Sequence, residues 1–172
     1  MKRPSCFLEI TVLSAEDLRL SKRSIKKNSF VTIRTTPQTF KSTCMDAVNG
    51  SYPIWDEKFE LSLPDSVTYI TVEVQCRSGA GVMTLIGAAK VPVSDFMNAL
   101  MPVGYLHFLS YRLRDRDEER NGIINLSIKA KVPEGYVRPV LPILGGRFQA
   151  GNKSYGGVAI GIPVSCGSGN KF

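Results

Sequence analysis

Val72-Glu73-Val74-Gln75-Cys76-Arg77-Ser78-Gly79-Ala80-Gly81-Val82-Met83-Thr84-Leu85-Ile86-Gly87 follows an alternating run that begins at Ile70, passes through two glycines and turns apolar again at Leu85-Ile86. Alternation with period two puts one face of a strand in a core and the other in water, so the stretch describes two strands joined by a glycine-containing loop. The same period returns at Leu8, Ile10 and Val12, at Phe59, Leu61 and Leu63, and at Ile124, Leu126 and Ile128. Turn clusters such as Asn49-Gly50-Ser51, Pro64-Asp65-Ser66 and Asn121-Gly122 separate the runs. This pattern predicts an all-β antiparallel sandwich with about eight strands before residue 132. The one segment expected to be helical is Val93 to Met101, with Ser94 as its N-cap.

The chain has 172 residues and is 43% hydrophobic, enough for one ordinary core and an appendage. The division predicted is a domain over 1–132 and a tail over 133–172. In the tail, glycine and proline replace any periodicity, so it cannot bury enough surface to offset its ordering entropy and is expected to be disordered on its own. The net charge is +7, of which residues 1–132 carry +4 and the tail +3, and this surplus favours anionic partners. Cysteines at 6, 44, 76 and 166 show no Cys-x-x-Cys pair and are read as reduced thiols of a cytosolic protein. The start Met1-Lys2-Arg3 leads into an apolar run broken by Glu9 and Thr11, and no stretch reaches the ~18 apolar residues of a spanning helix. Membrane contact is therefore expected to be peripheral.

Four landmarks in order, over about 80 residues, carry a family resemblance. Leu8 to Leu18 looks like an opening strand and turn; Asn28-Ser29-Phe30-Val31 is similar to an Asp-Pro-Tyr-Val strand; Pro53-Ile54-Trp55-Asp56-Glu57-Lys58-Phe59 matches a Pro-x-Trp-Asn-Glu-x-Phe signature; and Val72 to Gly87 has the outline of a third loop. Together they resemble the C2 domains. Because the first landmark strand begins almost at the N-terminus, the resemblance implies the permuted, type II-like connectivity. The segments Tyr105 to Arg114 and Asn121 to Leu126, with Gly161-Ile162-Pro163-Val164, look more narrowly like the small plant C2 proteins that associate with copines. That likeness implies a copine-like partner and a part in restraining plant defence or cell death.

Calcium at a C2 tip needs several hard oxygen ligands, mostly carboxylates. The matching positions here hold Lys22, Asn28, Cys76, Ser78 and Thr84, so no metal or other cofactor is expected. In place of acids, Leu18 to Lys27 carries Arg19, Lys22, Arg23, Lys26 and Lys27, with Arg77 in the loop opposite. Fixed cations near an anionic surface contribute about 1 kcal/mol each, reduced by salt. Lys22, Arg23, Lys26, Lys27 and Arg77 are the expected lipid-binding charges, with Leu20, Ile25 and Met83 for shallow insertion. Arg34 and Lys41 are expected to extend the basic surface along one sheet. The plainer reading of a basic run is a solvated face.

The only histidine, His107, lies in an alternating run with no nucleophile elbow, phosphate loop or metal-spaced cluster, which points to packing rather than catalysis. Asp115, Asp117, Glu118 and Glu119 are interleaved with Arg112, Arg114, Arg116 and Arg120, which describes a solvated loop. No stacking aromatics accompany the basic run, against a nucleic-acid partner. Two functions remain: a calcium-independent module on anionic phospholipid at the cytosolic face of the plasma membrane, or a protein-interaction adaptor using the sandwich or tail. Trp55 belongs to the resemblance's signature and is expected to be structural.

Overall fold

A computed structural model describes residues 6–26, 28–98, 100–102 and 104–135; Lys27 and nearly all of the tail assigned to 133–172 lie outside them. The strands are β1 (Cys6–Glu16), β2 (Arg19–Leu20), β3 (Arg23–Ser24), β4 (Ser29–Arg34), β5 (Phe40–Ser42), β6 (Ile54–Leu63), β7 (Tyr69–Arg77), β8 (Met83–Pro92), β9 (Leu106–Arg114) and β10 (Arg120–Lys131). Eight of them run antiparallel in the order β5-β4-β7-β8-β9-β10-β1-β6, and β2-β3 is a separate hairpin. The first strand pairs with the last, β10, along its length, as permuted connectivity requires.

The alternating residues meet where the sequence pattern puts them. Ile10 lies opposite Ile128 and Phe59, and Val31 opposite Val74. Leu8, Ile10, Val12, Val31, Ile33, Ile70, Val72, Val74, Ile124, Leu126 and Ile128 are all buried in one core cluster. Each such side chain contributes about 1.5–3 kcal/mol, and their common face makes the sheet close on itself. Two four-strand layers, β5-β4-β7-β8 and β6-β1-β10-β9, are linked by a single strand pair, Ala88 with Arg114. Gly87 sits beside that link, where a Cβ would stand 3.0 Å from Leu113 Cβ and 3.1 Å from the Arg114 carbonyl oxygen. The Ile86-Gly87 pair of the third-loop landmark thus marks where β8 comes close to β9.

Trp55, His107 and Asp115 have evident physical roles. Trp55 is half-buried against the core and its indole N–H donates to the Ser29 carbonyl at 3.3 Å. His107 is buried on the inner face opposite Ile128, with Tyr105 edge-on to its ring. Asp115 accepts the backbone N–H groups of Asp117 and Glu119 in the turn between β9 and β10, so the acidic cluster is a loop.

The expected helix is corrected. Among the described residues only Val93–Asp95 is helical, as one 3-10 turn, and its N-cap is Pro92 with no side-chain hydrogen bond, not Ser94. Val93 and Phe96 are the buried residues of this stretch. Their three-residue spacing suits a 3-10 turn, in which i and i+3 eclipse.

Candidate membrane-binding apex

The segments 17–28, 43–53, 78–82 and 115–119 connect strands at one end of the sandwich. In the first, Arg19 pairs with Ser24 and Leu20 with Arg23, leaving Ser21 and Lys22 as a two-residue turn with φ of 50° and 64°. Positive φ at both positions follows the right-handed twist of a hairpin, at a cost of about 1–2 kcal/mol per non-glycine residue. Lys22 is therefore at the tip, with Arg23 and Lys26 exposed behind it. Leu20 and Ile25, expected to enter a head-group layer, are instead half-buried and packed against the core. The hairpin lays its apolar side on the sandwich and keeps its basic side outward.

Asn28, where the family's acid would stand, staples the first loop to two others. Its N–H donates to the Asp46 carbonyl at 2.7 Å, its carbonyl accepts the Arg77 N–H at 3.0 Å, and its amide Nδ2 reaches the Arg77 carbonyl at 3.4 Å. In the third loop, Ser78 Oγ accepts the Val82 N–H and closes the turn. Cys76 and Thr84 face each other across β7 and β8. Burial pushes the Cys76 thiol up, away from the thiolate that a metal needs. Val82 and Met83 are 60% and 51% exposed beside Arg77.

The second loop, 43–53, was missed in the sequence as an apolar tip. It presents Val48, 84% exposed, and Tyr52, 60% exposed. Its shape is set by Asp46, whose Oδ1 accepts the N–H groups of Val48 and Asn49 and whose Oδ2 accepts Ile54 N–H and Asn49 Nδ2, all between 2.7 and 3.0 Å. Burial alone would raise this carboxyl, but those donors outweigh it and hold it at about 2. Ser51 is buried and ties the second loop to the first: its Oγ donates to the Leu18 carbonyl at 2.7 Å and accepts the Ile25 N–H at 2.9 Å. Gly50 has φ of 57°, and a Cβ there would stand 2.8 Å from the Ile25 carbonyl oxygen. The signal that could have found this loop was Asp46 two and three residues ahead of Val48 and Asn49, the spacing of a side chain that caps its own turn.

Among the described residues Lys22, Arg23, Lys26 and Arg77 form no ion pair, whereas Arg19 is paired with Asp17 at 3.0 Å. Arg34 and Lys41 do not extend this basic surface together. Arg34 lies opposite Phe40 and Lys41 opposite Ile33, so they leave the sheet on opposite faces, and Arg34 is bound to Glu73 at 3.4 Å. Of the positions matched to calcium ligands, the structure brings Asn28 beside Arg77 at the foot of the third loop, buries Cys76, uses Ser78 to close its own turn and leaves Lys22 at the hairpin tip. Among the described residues no three carboxylate, thiol or imidazole groups converge.

An eight-stranded antiparallel sandwich whose first and last strands pair within one layer, with four connecting loops gathered at one end, is C2 architecture. The C2 domain family matches residues 6–107, and the chain belongs to that family. Within it, the chain is 44% identical over 131 residues to BON1-associated protein 2 of Arabidopsis thaliana, an alignment covering 74% of this chain and 62% of that one. It is 32% identical to Synaptotagmin-4 of the same plant over 73% of this chain and 22% of that one, and 30% identical to its Calcium-dependent lipid-binding protein over 73% and 25%. The chain thus spans under two thirds of the length of each of these relatives. A C2 domain of plant Extended Synaptotagmin 1 has the same fold, with a TM-score of 0.62 at 20% identity, covering 76% of this chain and 98% of that one. Among the described residues no helix is long and apolar enough to cross a membrane.

Proposed function

We infer that this chain is a non-catalytic C2 module whose apex docks on anionic phospholipid without calcium, as a peripheral protein at the cytosolic face of the plasma membrane. The observation that carries the reading is the set Lys22, Arg23, Lys26 and Arg77, without an ion pair among the described residues, at the same end of the sandwich as the exposed Val48, Tyr52, Val82 and Met83. Cations free of internal carboxylates keep their full attraction for lipid phosphates, and apolar tips gain by leaving water. Lys27 is assigned to the same group by its place in the sequence. Relatives named for lipid binding and for synaptotagmin support the lipid class. The relative's name, BON1-associated, supports a protein partner. The resemblance to copine-associated proteins supports a copine-like partner and a part in plant defence and cell-death control.

The test is co-sedimentation with vesicles containing phosphatidylserine and with neutral phosphatidylcholine vesicles, in chelator, in calcium and at raised salt. Binding is expected only to the anionic vesicles, weakened by salt and indifferent to chelation. Replacing Lys22, Arg23 and Lys26 by Glu removes three contributions of about 1 kcal/mol, at least a hundredfold in affinity at low salt. Binding that requires calcium overturns the metal-free part of the reading, and absence of binding to anionic vesicles overturns the lipid reading.

A further inference from the structure

Three long strands, β6, β8 and β9, have a largely unpaired edge among the described residues; β8 is paired with β7 and meets β9 only at Ala88, and β6 and β9 differ in chemistry. Strand β6 pairs only with β1. It is kinked at Asp56, whose φ is 48°, and it carries Asp56, Glu57, Lys58 and Glu60, which discourage a further strand. Strand β9 pairs with β10 and touches β8 only through Arg114, so from Leu106 to Leu113 its other edge is open.

The outward residues of β9 are Leu106, Phe108, Ser110 and Arg112, all exposed, and Phe108 is 72% exposed. Across from them on β10 stand Lys129 opposite Leu106, Ser127 opposite Phe108 and Asn125 opposite Ser110. The charges on these two strips are Arg112 and Lys129, without a carboxylate. Glu9, the neighbour of Lys129 on β1, is occupied by Lys58 and Lys131. An open edge, an exposed aromatic beside it and positive charge along it together define a site for an added strand that is apolar and acidic by turns. The six residue steps from Phe108 to Arg114 place the aromatic about 20 Å down the strand from the apex, too far to enter the same lipid surface.

We propose that the open edge of β9, with Phe108, Leu106 and Lys129, is the docking strip for an extended acidic-apolar segment of a protein partner. This rests on the reading that the domain works with such a partner, and it specifies where and by what chemistry. The experiment uses the full chain and two probes: a displayed library of segments as long as β9, nine residues, and full-length BON1. Selected segments are expected to alternate apolar and acidic residues, to lose at least tenfold in affinity on Phe108→Asp and on Lys129→Glu, and to leave phosphatidylserine vesicle binding of those variants unchanged. A library that yields no binders, binders indifferent to both substitutions, or a Phe108→Asp variant that loses vesicle binding instead, overturns the proposal. BON1 captured equally by the parent and by Phe108→Asp overturns the strip and spares the partner. Strip-binding segments together with no capture of BON1 by the parent overturn the partner reading and spare the strip.

Discussion

Replacing Asp46 by Asn tests whether a buried carboxylate, rather than a metal, shapes the apex. The charged oxygens accept four hydrogen bonds within one loop, from Val48, Asn49 twice and Ile54. The carboxyl is at about 2 in the fold against 3.8 when exposed. At roughly 1.4 kcal/mol per pH unit the gap is worth about 2 kcal/mol of stability. Because the folded value is the lower one, this contribution is present in full above 3.8 and is lost as pH falls from 3.8 towards 2. Urea unfolding of parent and Asp46→Asn at neutral pH and at successive steps down to about pH 2 reads it directly. The parent is expected to be about 2 kcal/mol more stable at neutral pH, with the difference closing across that acid window. A difference that stays constant with pH, or is absent at neutral pH, refutes the clamp. Vesicle binding of Asp46→Asn at neutral pH is expected to weaken as Val48 and Tyr52 lose their fixed presentation.

Gly50→Ala forces a side chain onto positive φ and within 2.8 Å of a backbone oxygen, so it is expected to cost about 1–3 kcal/mol in urea unfolding. Gly79→Ala, with open space around it, is expected to stay within about 0.5 kcal/mol of the parent. The Tyr111 hydroxyl donates to Asp95, and burial first, then that carboxylate, push it well above 10. Tyr111 is therefore expected to gain phenolate absorbance late, and Tyr111→Phe to remove that late step. Since the folded value is raised, the parent loses stability relative to Tyr111→Phe as pH climbs past 10.

The strands were legible because their alternation is dictated by burial on one face, and Trp55 and Gly87 were legible because each fills a role that other residues fill poorly. The hairpin at Ser21-Lys22 was not, since the usual Asn-Gly signal for positive φ is missing and only the paired strands enforce it. That hairpin also decided Leu20 and Ile25, which read as exposed in an extended basic run and pack inward once it folds back. Val48 looked unremarkable in sequence, as its exposure depends on hydrogen bonds to a side chain two positions earlier. Composition alone puts Arg34 and Lys41 on one surface, since register is not written in it, and a one-residue offset sends them to opposite faces.

Asn28, Ser51 and Asp46 together stitch the three tip loops to one another with bonds that are already formed in the isolated domain. A tip assembled in advance spends little ordering entropy when it meets a surface, and under the proposed calcium-free docking no ion-gated step precedes contact. Its residence on a bilayer would then follow the lipid composition of that bilayer continuously, making the domain a gauge of surface charge rather than a responder to a cytosolic pulse.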